Sequence, residues 1–162
     1  MKKIMIMLCS LLMLMSLVGC AGNKTVELKE YTNGDIVLQL PSDVKETTSD
    51  GDFEYTLNND DLIVYVSSIT KEELKGYGWE DLDLEGFTEQ VIGGDEVILR
   101  KTLSNCEVFS YVAKVEEDEY YYMIANYENN DKFYIVNFVC FSKDREKMES
   151  SFLDYAGKVT FK

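Results

Sequence analysis

Apolar and polar positions alternate with a period of two through much of this chain, and that period marks strands. Ile36, Leu38 and Leu40 fall on one side of the first clear run, Val37 and Gln39 on the other, and Pro41 stops it. Residues 42–52 are polar and turn-rich. Phe53, Tyr55 and Leu57 alternate next, Asn58-Asn59-Asp60-Asp61 interrupts, and residues 62–69 are apolar again. This predicts a hairpin with a four-residue turn. Thr70 with Glu73 forms a capping-box pattern for a short helix, which Gly76-Tyr77-Gly78 breaks. A second helix is expected over 80–92, with Leu84, Phe87 and Val91 at helical spacing and Gly93-Gly94 at its end.

The second half of the chain reads as a meander. Strands are expected from about 97 to 105, then over 106–115, 120–127 and 132–141. Glu116-Glu117-Asp118-Glu119 and Asn129-Asn130-Asp131 supply the last two turns. Ser142 then caps a helix to about Ala156, with Met148, Phe152 and Tyr155 on one stripe. Gly157 stops it, and Val159 and Phe161 form a last short strand. The strand over 132–141 is apolar on both faces. Phe133, Ile135, Val139 and Phe141 (with Asn137 among them) point one way, and Tyr134, Val136, Phe138 and Cys140 the other. A sheet apolar on both sides must be covered on both sides. The expected class is therefore α+β: a mainly antiparallel sheet with helices on both faces.

The N-terminus follows a different pattern. Met1-Lys2-Lys3 is a positive start, and residues 4–18 are apolar apart from Ser10 and Ser16. Small Gly19 and Cys20 close the run. About 15 apolar residues suit a signal peptide and fall short of the roughly 20 that span a bilayer. Leu17-Val18-Gly19-Cys20 resembles the bacterial lipobox. The resemblance implies cleavage between Gly19 and Cys20, a diacylglyceryl thioether on Cys20, and attachment to the membrane through acyl chains such as palmitate. The expected organisation is a signal peptide over 1–19, the lipidated Cys20 with a tether to residue 32, and one globular domain over 33–162. The expected location is the extracytoplasmic face of the cell membrane.

Composition narrows the function. The chain has 16 Lys and Arg against 30 Asp and Glu, for a formal charge of −14. Loss of Lys2 and Lys3 with the signal makes the mature chain more acidic still. Nothing here neutralises phosphates, which excludes nucleic acid as a partner. The absence of His removes His-based nucleophilic catalysis and His-ligated metals. Of four cysteines, Cys9 leaves with the signal and Cys20 is acylated. Cys106 and Cys140 remain, and two readings stay open for them: an extracytoplasmic disulfide, or two thiols buried in apolar strands.

The other local patterns point to structure. Asp81-Leu82-Asp83-Leu84-Glu85-Gly86 opens like a calcium loop, but Ile92 stands where the bidentate Glu is required. The same spacing suits the acidic N-terminus of a helix. Glu116–Glu119 and Asn58–Asp61 read as solvated hairpin tips. Tyr120-Tyr121-Tyr122 in a strand is divided between two faces. Trp79, in a breaker-rich connection, is the candidate for a partner contact. No catalytic, metal-ligating or cofactor-binding residues are assigned, and an enzyme is not expected.

An opening strand ending in Pro (Ile36-Val37-Leu38-Gln39-Leu40-Pro41), a hairpin and helices, a Tyr-rich meander and a terminal helix with a short strand over 152–161 follow in order. That order is similar to the PsbP-like α/β/α sandwich, a fold of an extrinsic photosynthetic subunit, a Ran-binding nuclear transport factor and many small bacterial lipoproteins. The resemblance implies non-enzymatic binding or accessory work at the cell surface with another surface or membrane protein. Two alternatives remain: a receptor passing a cation or small molecule to a membrane partner, and a glycan-processing enzyme, which would need a deep pocket with paired carboxylates.

Overall fold

In the computed structural model, residues 26–48, 53–79, 81–94 and 96–162 are described. The signal segment, Gly19 and Cys20 lie outside the described residues. The elements in chain order are β1 (Leu28–Asn33), β2 (Ile36–Pro41), β3 (Lys45–Thr47), β4 (Tyr55–Asn58), β5 (Ile63–Thr70), α1 (Lys71–Gly76), α2 (Leu84–Ile92), β6 (Leu99–Thr102), β7 (Glu107–Val115), β8 (Asp118–Asn129), β9 (Lys132–Phe141), α3 (Arg145–Gly157) and β10 (Thr160–Phe161). A seven-stranded sheet runs in the order β3-β4-β5-β9-β8-β7-β6, and a three-stranded sheet in the order β1-β2-β10. All their pairings are antiparallel.

The two faces of β9 divide as the alternation requires. Tyr134, Val136, Phe138 and Cys140 enter a large core shared with α3 and the small sheet, including Phe152 of α3 and Leu38 and Leu40 of β2. Phe133 enters a smaller cluster on the opposite face with Leu74 of α1 and Phe87 of α2, and Ile135 packs against it. Helices therefore cover both faces, and the class is α+β.

The helix starts are set locally. Thr70 Oγ1 accepts the Glu73 N–H at 3.1 Å, and a Glu73 carboxylate oxygen accepts the Thr70 N–H at 2.8 Å. The Thr70 hydroxyl donating to the Glu73 carboxylate at 2.7 Å, and then the Thr70 N–H, hold that carboxyl below the ordinary carboxylate value. Asp83 caps α2 by accepting the Gly86 N–H at 2.8 Å. Ser142 does not cap α3: it opens a short 3-10 turn, Ser142–Asp144, without a side-chain cap bond.

Three stretches differ from the pattern reading. Residues 28–32, assigned to the tether, belong to β1, which pairs residue for residue with β2. Its alternation is hard to see because Lys29 and Glu30 sit beside Tyr31, whose ring is buried. The turn between β1 and β2 is formed by Gly34 and Asp35, with Gly34 at φ +55°. That is the left-handed region that glycine supplies without strain. β3, in the polar stretch, is held by pairing with β4 and by the Tyr55 hydroxyl donating to Glu46 at 2.7 Å, while all three of its residues are exposed. The second helix begins at Leu84, because Asp83 takes the capping position.

Both edges of the large sheet carry charge. β3 presents Lys45 and Glu46, and β6 presents Arg100 and Lys101. Arg100 is tied across to Glu89 of α2.

Candidate functional site

The end of α1 builds the site. The chain leaving Leu74 turns back on itself, and the N–H groups of Tyr77 and Trp79 both reach the Leu74 carbonyl, at 3.0 and 3.1 Å. Gly78 sits between them at φ +77°, where a side chain would be strained. This wrap sets Trp79 against Tyr77, with ring centroids 6.2 Å apart. Trp79 is 37% exposed and Tyr77 71%. Beside them lies a cavity of about 500 Å³, floored by Leu74, Leu82 and Phe133 and walled by Trp79. Its volume falls within the range of small-ligand pockets, roughly 300–1,000 Å³.

Five charged groups line the cavity: Lys71, Lys75, Asp81, Asp83 and Glu128. Lys71 pairs with Glu128, and its ammonium lies 5.3 Å from the centre of the Phe133 ring. Lys75 pairs with Glu72 at 2.9 Å. Asp83 is committed to the α2 cap. Asp81 makes no hydrogen bond or ion pair among the described residues, and it holds φ +57°, an unusual conformation for a non-glycine residue.

Trp79, singled out from the sequence, is thus part of a cavity. Its companions were not legible. Lys71 and Lys75 follow from the capping box, but Glu128 and Phe133 arrive through the register of β8 and β9 across the sheet. Asp81 and Asp83, read as a helix opening, divide between the cavity and the α2 cap.

The other patterns take structural places. Asn59 closes the β4–β5 turn by accepting the Asp61 and Leu62 N–H groups at 3.0 and 2.8 Å. Glu116 and Glu117 form the two-residue tip between β7 and β8. Tyr121 is fully buried against α3, while Tyr120 and Tyr122 stand on the other face. There Tyr120 stacks on Phe141 and Tyr122 on Tyr111, each at 5.1 Å. Alternation splits the triplet as expected, and cross-strand stacking absorbs its two outer members.

Of the two readings left open for the cysteines, the structure has the buried thiols. Cys106 and Cys140 are both free and buried. Cys140 lies opposite Tyr121, whereas Cys106 precedes Glu107, which lies opposite Asn126. At about 3.3 Å per residue the offset along the strands is on the order of 20 Å. A bridge needs Cα atoms within about 7 Å. Burial pushes each thiol from its ordinary 9.0 up to about 11. Iodoacetamide at about pH 8 is accordingly expected to leave both thiols unlabelled in the folded chain and to label both after unfolding without reductant. Peptide mass mapping reads the result, and unfolded thiols that stay unlabelled until reduction would contradict it.

No protein-family model and no curated protein matches the sequence. Solved structures do match. The solution structure of cyanobacterial PsbP (CyanoP) from Synechocystis aligns at TM-score 0.55 and 15% identity, over 91% of this chain and 99% of that one. A crystal structure from Bacteroides thetaiotaomicron aligns at TM-score 0.57 and 9% identity, over 83% of this chain. The match spans about half of that longer chain, 48%. The Ran-binding protein Mog1p of Saccharomyces cerevisiae aligns at TM-score 0.51 and 11% identity, over 84% of this chain and 96% of that one. At these identities the likeness is one of fold, and the fold is PsbP-like.

Proposed function

We propose that the chain is a lipid-anchored extracytoplasmic lipoprotein that works as a non-enzymatic binding or accessory module at the cell surface. The observation that carries this reading is Leu17-Val18-Gly19-Cys20 at the end of a short apolar run, ahead of a single folded unit. No helix among the described residues is long and apolar enough to cross a membrane. In this reading attachment rests on acyl chains at Cys20, two or more of which hold stably. The fold is also that of a Ran-binding protein, which accords with a binding role.

The geometry supports an orientation. Because β1 begins at Leu28, only residues 21–27 separate Cys20 from the sheet. Seven residues reach at most about 25 Å. Val26 lies beside Pro41, Leu62 and Met148, at the end of the molecule where β5 begins. The cavity, with Lys71 and Phe133, lies where β5 ends and β9 begins. The anchored end and the Trp79 end are therefore opposite ends of the sheet, and Trp79 faces away from the lipid.

A second reading, a receptor for a small ligand, is favoured by the size of the cavity alone. The anchor is tested by Cys20→Ala in the full chain expressed in a bacterial host. Membrane fractionation should then move most of the protein from the membrane pellet to the soluble fraction. Unchanged retention in the pellet would refute the anchor.

A further inference from the structure

We infer that the Trp79 cavity takes a cationic side chain, the alkylammonium of a lysine or the guanidinium of an arginine, presented by a basic segment of a partner protein. The inference deepens the binding-module reading and rests on it. It starts from which charges at the cavity are already engaged. Both lysines have carboxylate partners, Lys71 with Glu128 and Lys75 with Glu72. An incoming anion would have to displace one of them. Asp83 is spent on the Gly86 N–H, and Asp81 is left with no hydrogen bond or ion pair among the described residues. The uncommitted charge at the cavity is negative.

The wall agrees with the charge. Trp79 forms the wall, and Tyr77 stands beside it outside the cavity, both side chains partly exposed. Aromatic faces attract cations, tryptophan most strongly, and more so where the cation is partly desolvated. The apolar floor of Leu74, Leu82 and Phe133 suits the methylene stem of a lysine or arginine. The field of the whole chain, at −14, draws basic partners and repels acidic ones. A peptide segment is the favoured source of the cation over a free amine. The cavity opens at the end of the molecule that projects from the lipid in the proposed orientation, and the exposed Tyr77 offers surface for residues flanking the inserted one.

Trp79 is the single tryptophan of the chain, so its emission reports the site directly. The full chain is titrated at physiological salt with a pentapeptide, acetyl-Gly-Gly-Lys-Gly-Gly-amide, with the same peptide carrying Glu in place of Lys, and with ethylamine. The lysine peptide should change Trp79 emission saturably. It should bind at least about tenfold more tightly than either control. Asp81→Asn, at a group with no hydrogen bond or ion pair among the described residues, should weaken it about threefold, in line with a charge interaction at a partly exposed site. Glu117→Gln, at the far hairpin tip, should leave binding unchanged. The inference is overturned if the lysine peptide leaves Trp79 emission flat to millimolar concentration. It is overturned equally if the Glu peptide or ethylamine binds as well, or if Asp81→Asn and Glu117→Gln weaken binding alike. These outcomes are independent of the Cys20→Ala fractionation, so failure of the anchor and failure of the cavity are distinguishable.

Discussion

Phe152→Ala is expected to cost the fold about 3–5 kcal/mol, the range for deleting a large aromatic side chain from a packed core. Phe152 is fully buried on α3. Its ring lies 6.3 Å from that of Tyr121 and 5.7 Å from that of Phe138, so it joins the helix to β8 and β9 at once. Of the 13 residues of the helix, Met148, Phe152, Tyr155 and Ala156 are buried. The space left by the ring cannot close easily, because β8 and β9 are central strands, paired on both sides, and β2 side chains fill the same core. Against a total stability of roughly 5–15 kcal/mol for an ordinary domain, this is a large share. Guanidinium unfolding followed by far-ultraviolet circular dichroism should show the midpoint falling in proportion. Phe152→Leu, which keeps most of the volume, should lose less than about half as much. A loss for the alanine variant below about 1.5 kcal/mol would mean that α3 is not an integral part of the core.

Phe87→Ala is expected to separate the two faces of the molecule. Its buried cluster consists of Leu74, Phe87 and Phe133, with a few half-buried neighbours. The Phe87 and Phe133 rings stack at 4.3 Å with 8° between their planes, which is the centre of the attachment of α2 to the sheet. What remains of the α2 attachment after truncation is the half-buried Leu84 and Val91, Asn126 Nδ2 donating to Thr88 Oγ1 at 3.0 Å, and the Arg100–Glu89 ion pair at the surface. Exposed pairs of that kind contribute about 0–1 kcal/mol. The layer formed by α1 and α2 should then open below the global transition while the sheet and α3 persist. Trp79, between the two helices, reports that layer, and far-ultraviolet dichroism reports the sheet. In Phe87→Ala the tryptophan transition should fall at lower denaturant than the dichroism transition. Coincident transitions in the variant would show the two faces to be one cooperative unit.

The sequence carried those elements whose physics is local. The Thr70–Glu73 box, the polar turn after β4 (one residue on from the reading, at Asn59–Leu62) and the two-faced alternation of 132–141 each depend on neighbours along the chain, and each is found in the structure. β1 was missed although Asn33-Gly34 is a strong hairpin signal, because Lys29 and Glu30 mask the alternation around Tyr31. β3 could not be read at all: its three residues are exposed, and only pairing with β4 makes them a strand. The site divides in the same way. Trp79 stands out as the chain's single tryptophan in a glycine-rich connection, but the cavity beside it exists because β8 and β9 bring Glu128 and Phe133 under α1. Such contacts join residues more than fifty positions apart, and no spacing rule encodes them.

The charged side chains on β3 and β6 acquire a further meaning if the molecule is confined to a surface. Tethering turns a dilute population into a crowded two-dimensional one, in which neighbours collide repeatedly in nearly the same orientation. An open strand edge under those conditions is an invitation to lateral zippering. Lys45 and Glu46 at one margin, and Arg100 and Lys101 at the other, would each have to shed water before a neighbouring copy could add its own strand. Arg100 is further pinned by Glu89, so that margin cannot be cleared without breaking a bond to α2. The sheet can thus end at seven strands on a packed surface without growing into its neighbours.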